Sequence, residues 1–399
     1  MDIAESLLFT PGKIGQLSIN NRFVRSATYE NTANSDGSIT EDYLKIYRTL
    51  SKGNIGLIIS GMIFTSIDGK SYSRQAGLHS DHVIQSYSHL TDMIHENESK
   101  IFAQLCHGGR QTQVQGLSPR APSVSRPDLI YKIFPRSMNH KEIVHVIKTF
   151  GDSAKRAKHA GFDGIQIHAA HGYLISEFLS PFFNSRNDEW GGSSEKRFRL
   201  LKEVFESVRD AVGTSYPVTV KINIQDYTPK TGLSLEESIE HIKRLVDLGI
   251  DGVEISCGTL SFSMFNQSRG NVPVQAFAKT MPLPFRPFTR LLLRSVYPEI
   301  KFRFYENYNL WASKDIKPIM GDTPLILVGG LRSYHALEDI LNRNEADFVS
   351  MCRPFIRQPL FVKNWSEGNV KPLTCTNCNN CLGGIALHEQ LRCNRNRVF

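Results

Sequence analysis

Residues 162–192 read FDGIQIHAAHGYLISEFLSPFFNSRNDEWGG. The front end, FDGIQIH, is a short apolar run with β-branched residues that closes on His168, which predicts a buried strand. His171 follows three residues later, and Gly172-Tyr173 comes directly after it. Just past the end of a strand, two imidazoles and a phenol would share one small patch, where they could grip a carbonyl oxygen and deliver a proton. Two other readings stay open on the residues alone. His168 could cap a core strand while Tyr173 packs a helix, or the two histidines could ligate a metal.

Working outward, seven more strand candidates flank this one, at 23–27, 56–61, 101–106, 217–222, 252–256, 325–328 and 346–350. Helical patterns separate most of them, at about 40–52, 82–97, 140–160, 195–212, 234–248, 305–319 and 333–343. Eight strands alternating with helices predict an α/β fold, a parallel (β/α)₈ TIM barrel. A doubly wound open sheet also alternates, but leaves the count of eight as coincidence. Leu8-Phe9 and residues 14–21 predict an N-terminal hairpin that plugs one end of the barrel. A loop at 107–139 carries Pro119, Pro122, Pro127 and Pro135, and loops of that length are usually functional or disordered. The expected organisation is a barrel over 1–370, with an insertion at 260–304 after strand six, and a Cys-rich tail over 371–399.

The chain has 399 residues, which one barrel can accommodate. Hydrophobic residues make up 40% and charged residues 22%, as in ordinary soluble enzymes. No apolar run would cross a bilayer. The start, MDIAESLLFTPGK, lacks the basic region and apolar core of a secretory signal. Seven cysteines, an odd number, agree with a reducing compartment, so a cytoplasmic protein is expected. Net charge is +8, yet no zinc-finger, helix-turn-helix or RNA-binding signature accompanies it. The expected partner is therefore a small molecule, with no nucleic acid and no membrane; a homo-oligomer is left open. The insertion sets Arg269, Lys279, Arg286, Arg290, Arg294, Lys301 and Arg303 against one acid, Glu299, among several phenylalanines. It reads either as a basic surface or subunit contact, or as a lid over the barrel mouth that selects acidic substrates such as coenzyme A thioesters.

The 162–192 stretch resembles the Old Yellow Enzyme family of flavin-dependent ene-reductases. His168, His171, Gly172-Tyr173-Leu174, Phe178-Leu179-Ser180-Pro181, Asn184, Arg186, Asp188 and Trp190-Gly191-Gly192 match that family's motifs in order. The resemblance implies that Ala27, Thr28 and Tyr29 meet the flavin ring, with tyrosine at 29 where the family commonly has Thr or Cys. Gly61 would let backbone approach the ring. Gln104 would pair with the pyrimidine edge, which needs both a donor and an acceptor. Lys221 would face the negative charge of reduced flavin, the alternative being a structural salt bridge. Gly329-Gly330 and Cys352-Arg353, after strands seven and eight, would hold a single phosphate, hence FMN. NAD(P)H would be the reductant and an α,β-unsaturated carbonyl compound, an enone or enoyl ester, the substrate. The implied roles are carbonyl binding by His168 and His171 and protonation by Tyr173. Other readings are a flavin-dependent amine dehydrogenase or demethylase, a metal-dependent barrel lyase or hydrolase, and a non-catalytic FMN-binding barrel.

Cys375, Cys378, Cys381 and Cys393 are spaced as in a metal site, zinc or iron–sulfur. Larger relatives of the family carry a [4Fe–4S] cluster after the barrel, on a motif one residue longer in its middle gap. The chain shows no further flavin or nucleotide domain after this tail, so a cluster, a zinc knot, an empty remnant and free thiols all remain readings of it.

Overall fold

The computed structural model describes residues 5–124 and 134–397. The expected loop at 107–139 therefore lies partly outside the described residues, Pro127 included. Eight strands run in chain order: β1 Phe23–Arg25, β2 Leu57–Phe64, β3 Lys100–Cys106, β4 Gly164–Ala169, β5 Val218–Asn223, β6 Gly252–Ser256, β7 Leu325–Val328 and β8 Phe348–Met351. Each pairs in parallel with the next, and β8 pairs with β1, closing the barrel. Gly12–Ile14 and Leu17–Ile19 form the expected antiparallel hairpin.

Helices lie between and beyond the strands, and four of the longer ones start at a side-chain N-cap. Among them are α1 Glu41–Ser51, α2 Ile84–His95, α3 His140–His159, α4 Leu174–Leu179, α5 Ser194–Val212, α6 Leu235–Asp247, α7 Arg286–Val296, α8 Tyr334–Asn342 and α9 Asn380–Ala386. Thr40 caps α1, and Asn139 and Glu142 close a reciprocal capping box on α3. The helix expected at 305–319 breaks into short turns at Leu310–Ala312, Ser313–Ile316 and Lys317–Ile319. Pro318 has no N–H to extend a helix, and Asn307 takes a left-handed conformation (φ 57°).

Side chains point into the barrel at every second residue of a strand, so its interior is layered. The lowest layer is apolar: Val24, Ile59, Phe102, Ile326 and Phe348, stoppered by Ile14 and Ile19 of the hairpin. Gly164 makes room for Phe102, because a Cβ there would sit 2.5 Å from its ring. Two residues further along, the wall turns polar at Ser26, Gln104, Gln166, Lys221, Glu254 and Ser350, all buried. Two further still come Thr28, His168, Ser256 and Cys352, which line a cavity.

Candidate active site

The middle layer is one connected network. Gln104 Nε2 donates to Gln166 Oε1 (2.7 Å), and Gln166 Nε2 donates to Glu254 Oε2 (2.9 Å). Glu254 Oε1 accepts from Ser26 (2.9 Å) and Ser350 (2.8 Å). Lys221 Nζ donates to Ser26 Oγ (2.7 Å) and lies 3.2 Å from Glu254 Oε1. Register makes this possible, since Lys221 sits opposite Glu254 and Gln104 opposite Gln166. The buried cation therefore has its carboxylate, as such a charge requires, while Lys221 and Gln104 also border the space above. A structural ion pair and a ligand-facing cation are combined in one residue.

That space is a cavity of about 780 Å³ at the C-terminal end of the strands. Of the expected residues, Ala27, Thr28, Tyr29, Gln104, His168, His171, Tyr173, Lys221, Gly329, Gly330, Cys352 and Arg353 all line it. Gly61 does not. It lies on a bulge where the β2–β3 register shifts, and its N–H donates to Glu30 Oε1 (3.1 Å) and is 2.9 Å from the Tyr47 hydroxyl. A Cβ at Gly61 would meet Glu30 Oε2 at 2.1 Å, so the close approach that demands glycine is to Glu30, behind the barrel wall.

The two histidines differ. His171 is held on both nitrogens, with Nε2 2.7 Å from Ser256 Oγ and Nδ1 accepting from Gln267 Nε2 (3.1 Å). His168 has a buried Nδ1 without a hydrogen-bond partner. Their rings meet edge to face at 5.2 Å, and His168 lies 5.0 Å from the Tyr173 ring. Burial, with Lys221 adding to it, pushes the His168 imidazole down to about 3. Burial and the neighbouring His168 hold His171 well below its ordinary range. Both are neutral at neutral pH, so His168 offers a neutral polar group to the cavity. Burial, with Tyr72 adding to it, holds the Tyr173 hydroxyl well above the usual phenol range, so it keeps its proton.

Tyr173 packs with Met62 and Cys106, against Tyr29 and Tyr72. Tyr29 stacks on Tyr72 (4.9 Å) and donates to Asn31 Oδ1 (2.8 Å), whose amide donates to Glu389 O (2.9 Å). The departure at position 29 thus ties the cavity to the tail. Cys352 Sγ lies 3.1 Å from Thr28 Oγ1. Gly329 (φ 137°) and Gly330 (φ 77°) adopt conformations that favour glycine. They precede α8, whose N-cap Ser333 makes no capping bond and leaves backbone N–H groups available to an anion. Arg353 Nη1 donates to Arg269 O and Asn379 Oδ1, both at 2.7 Å.

These features suit a flavin mononucleotide. The glycine pair and Arg353 meet the needs of a phosphate, and the polar floor meets those of a heteroaromatic ring edge. The tail closes one side, with Leu382, Ile385 and Leu391 on the wall. Its four cysteines all border a second, small cavity of about 20 Å³ beside Arg353 and Arg357. Among the described residues, no three His, Cys, Asp or Glu side chains are arranged to hold a metal ion. The insertion contributes Phe277, Phe285, Phe288 and Leu292 to the main cavity, whereas Arg286, Arg290 and Arg294 stand off its wall. The cation-lined lid expected from the sequence is therefore an apolar one.

Glu254, Gln166, Ser26, Ser350 and Gln267 were not expected at the site. For the first two a signal existed: a charge in GVEIS and an amide in GIQIH, each in mid-strand among apolar residues. Tyr72, on a loop, had none.

The sequence profile of the NADH:flavin oxidoreductase / NADH oxidase family matches residues 7–277. An NADH oxidase of Thermoanaerobacter brockii is 33% identical over 398 residues, 98% of this chain and 56% of that protein. An NADPH dehydrogenase of Geobacillus sp. (strain WCH70) is 32% identical over 375 residues, 93% of this chain and 96% of that protein. The chain thus spans just over half of one curated relative and nearly all of another. Among solved structures, an Old Yellow Enzyme homologue from Zymomonas mobilis aligns with TM-score 0.69 and 27% identity, covering 92% of this chain and 94% of that one. A 2-naphthoyl-CoA reductase complex aligns with TM-score 0.82 and 25% identity, covering 97% and 56%.

Proposed function

Because the chain belongs to the NADH:flavin oxidoreductase / NADH oxidase family, and so is a flavin oxidoreductase drawing on FMN and NAD(P)H, we propose that it reduces the activated C=C bond of α,β-unsaturated carbonyl compounds. One observation carries the reading: Gln104, Lys221, His168, Tyr173, Gly329-Gly330 and Arg353, from five different strand ends, open on one cavity. Gln104 and Lys221 would hold the ring edge, while Gly329, Gly330 and Arg353 would hold the phosphate, with Ala27, Thr28, Tyr29 and Cys352 along the ring. When bound, FMN reduced by NAD(P)H supplies the hydride that the alkene accepts at its β-carbon.

The chain's own residues do the rest. His168 hydrogen-bonds the carbonyl oxygen through its cavity-facing ring nitrogen and steadies the charge that develops there. Its lowered pKa keeps it a neutral donor. His171 is engaged by Ser256 and Gln267, so in this reading it orients His168 and reaches substrate only by exchanging one of those bonds. Tyr173, its proton retained by burial, protonates the α-carbon. The apolar insertion excludes water from the mouth. Residues 1–370 form the catalytic barrel in this proposal, and 371–399 a tail that walls it. Whether the four thiols take a cluster or zinc does not enter the chemistry.

The test is reconstitution with FMN, anaerobic reduction by NADH or NADPH, and reoxidation by a panel of enones, enoyl thioesters and amines. Enone-dependent reoxidation supports the reading. Reduction of the oxidised flavin by amines instead, with no response to enones, supports the amine dehydrogenase alternative and refutes ours.

A further inference from the structure

The insertion's helix α7 turns an apolar arc to solvent. Phe288 and Leu291 are 67% and 69% exposed, and Leu283 and Ile300, on either side of the helix, are 73% and 88% exposed. Its inner side is fixed by Leu293, buried in the insertion's own small core with Phe265, Tyr297 and Phe302. At about 100° per residue, Phe288, Leu291 and Ser295 point opposite to Leu293. Arg290, half-buried, and Arg294, exposed, lie four residues apart along one flank, while Arg286, one turn earlier, is tied to the Met281 and Lys279 carbonyls. The other flank, Phe285, Thr289 and Leu292, borders the main cavity, and Phe288 stands at the cavity rim where this flank meets the outward arc. A merely solvated helix would place its arginines outward and its leucines inward. This one has its apolar arc outward.

Charge decides between the occupants that could cover such a face. From 283 to 303 the chain carries five cations, Arg286, Arg290, Arg294, Lys301 and Arg303, and one acid, Glu299. A second copy docked about a twofold axis would set this cluster against itself, and like charges repel. An anionic bilayer complements both features, with apolar chains for the arc and negative headgroups for the cations. We infer that α7 is an in-plane anchor that seats the mouth of the cavity on an anionic lipid surface. Among the described residues no helix is long and apolar enough to cross a membrane, so the contact is superficial. It revises the expectation that membranes are not partners. The cavity flank of the same helix then faces the lipid boundary, where apolar substrates concentrate. The inference stands apart from the flavin chemistry, and its test does not read activity.

The FMN-loaded full chain is sedimented with phosphatidylcholine vesicles, with and without phosphatidylglycerol, at low and high salt. Binding is expected only with phosphatidylglycerol, and weaker at high salt. Arg290→Gln/Arg294→Gln should weaken it about thirtyfold, from roughly fivefold per cation near the surface. Leu291→Asp/Ile300→Asp should weaken it at least about tenfold, since each buries a large aliphatic side chain in lipid. Circular dichroism and retained FMN check that the variants fold. Four outcomes overturn the inference: no vesicle binding, equal binding to neutral vesicles, binding unchanged in both variants, or a parent dimer that Leu291→Asp/Ile300→Asp dissociates while no vesicle binding occurs.

Discussion

Replacing Lys221 by methionine separates its two jobs. Its ammonium lies 3.2 Å from Glu254 Oε1 and 2.7 Å from Ser26 Oγ, and the paired side chains are 4% and 0% exposed. Removing the cation leaves Glu254 with three neutral donors, from Ser26, Ser350 and Gln166, and no counter-charge. Stranding one partner of a buried pair costs about 3–5 kcal/mol. The three remaining hydrogen bonds favour the lower figure, so the expected loss is about 3 kcal/mol. Adding Glu254→Gln removes the stranded charge and should restore about 2 kcal/mol of it, a coupling that a double-mutant cycle isolates. The assay is equilibrium urea unfolding of the flavin-free protein at neutral pH, paired with FMN titration by fluorescence quenching. FMN affinity should fall at least about tenfold in both variants, because the cation facing the ring edge is gone in each. A single variant as stable as the parent would refute the ion-pair argument. Lost stability with FMN affinity intact would show that Lys221 holds the barrel and not the cofactor.

Three further outcomes are expected. Tyr173→Phe should slow enone-dependent reoxidation by about 10²–10⁴-fold while sparing reduction by NAD(P)H, as stopped-flow absorbance of each half-reaction will show; equal loss in both refutes a proton donor at this position. Gly61→Ala should lower stability by about 1–3 kcal/mol, because its Cβ would meet Glu30 Oε2 at 2.1 Å and part the N–H from its buried acceptor; an unchanged urea midpoint would show that the bulge yields freely. His168→Gln should flatten the acid side of the stability profile. His168 is pushed down to about 3 when folded and titrates near 6.5 when unfolded, so unfolding takes up a proton between those values and stability is lost as pH is lowered through that window. The variant should lose up to about 2 kcal/mol less than the parent between pH 6.5 and 5, measured from urea midpoints at each pH.

Much of the fold was legible because barrel strands are short apolar runs with turns at each end, and eight of them alternate with apolar-periodic helices, the first of which starts at the N-cap Thr40. The cavity lining was legible where polar residues sit at strand ends, as with His168, Gln104, Lys221 and Arg353, which the fold brings to one cavity. Gly61 was misjudged because a glycine says only that something comes close, not from which side; here it is Glu30. The helix expected at 305–319 failed on local grounds, a proline and a left-handed asparagine. The polar floor was missed because a charge in mid-strand declares its partner only once register is known, and Lys221 opposite Glu254 is a product of β5 pairing with β6. Gln267 reaches the site from a four-residue helix, Met264–Gln267, and Tyr72 from a loop, both too short or irregular for periodicity to point to them.

Asn31 and Glu389 are joined by a hydrogen bond across 358 positions of sequence, and Leu391 N donates to Glu30 O. The cavity-lining loop after β1 is thus shaped by residues of the tail. A ribosome-bound chain holding only its first three hundred residues would have most strands but neither the closing seam nor this brace. Cofactor capture must then wait until synthesis has passed Leu391, and contacts so far apart in sequence make the final assembly step slow relative to local helix formation.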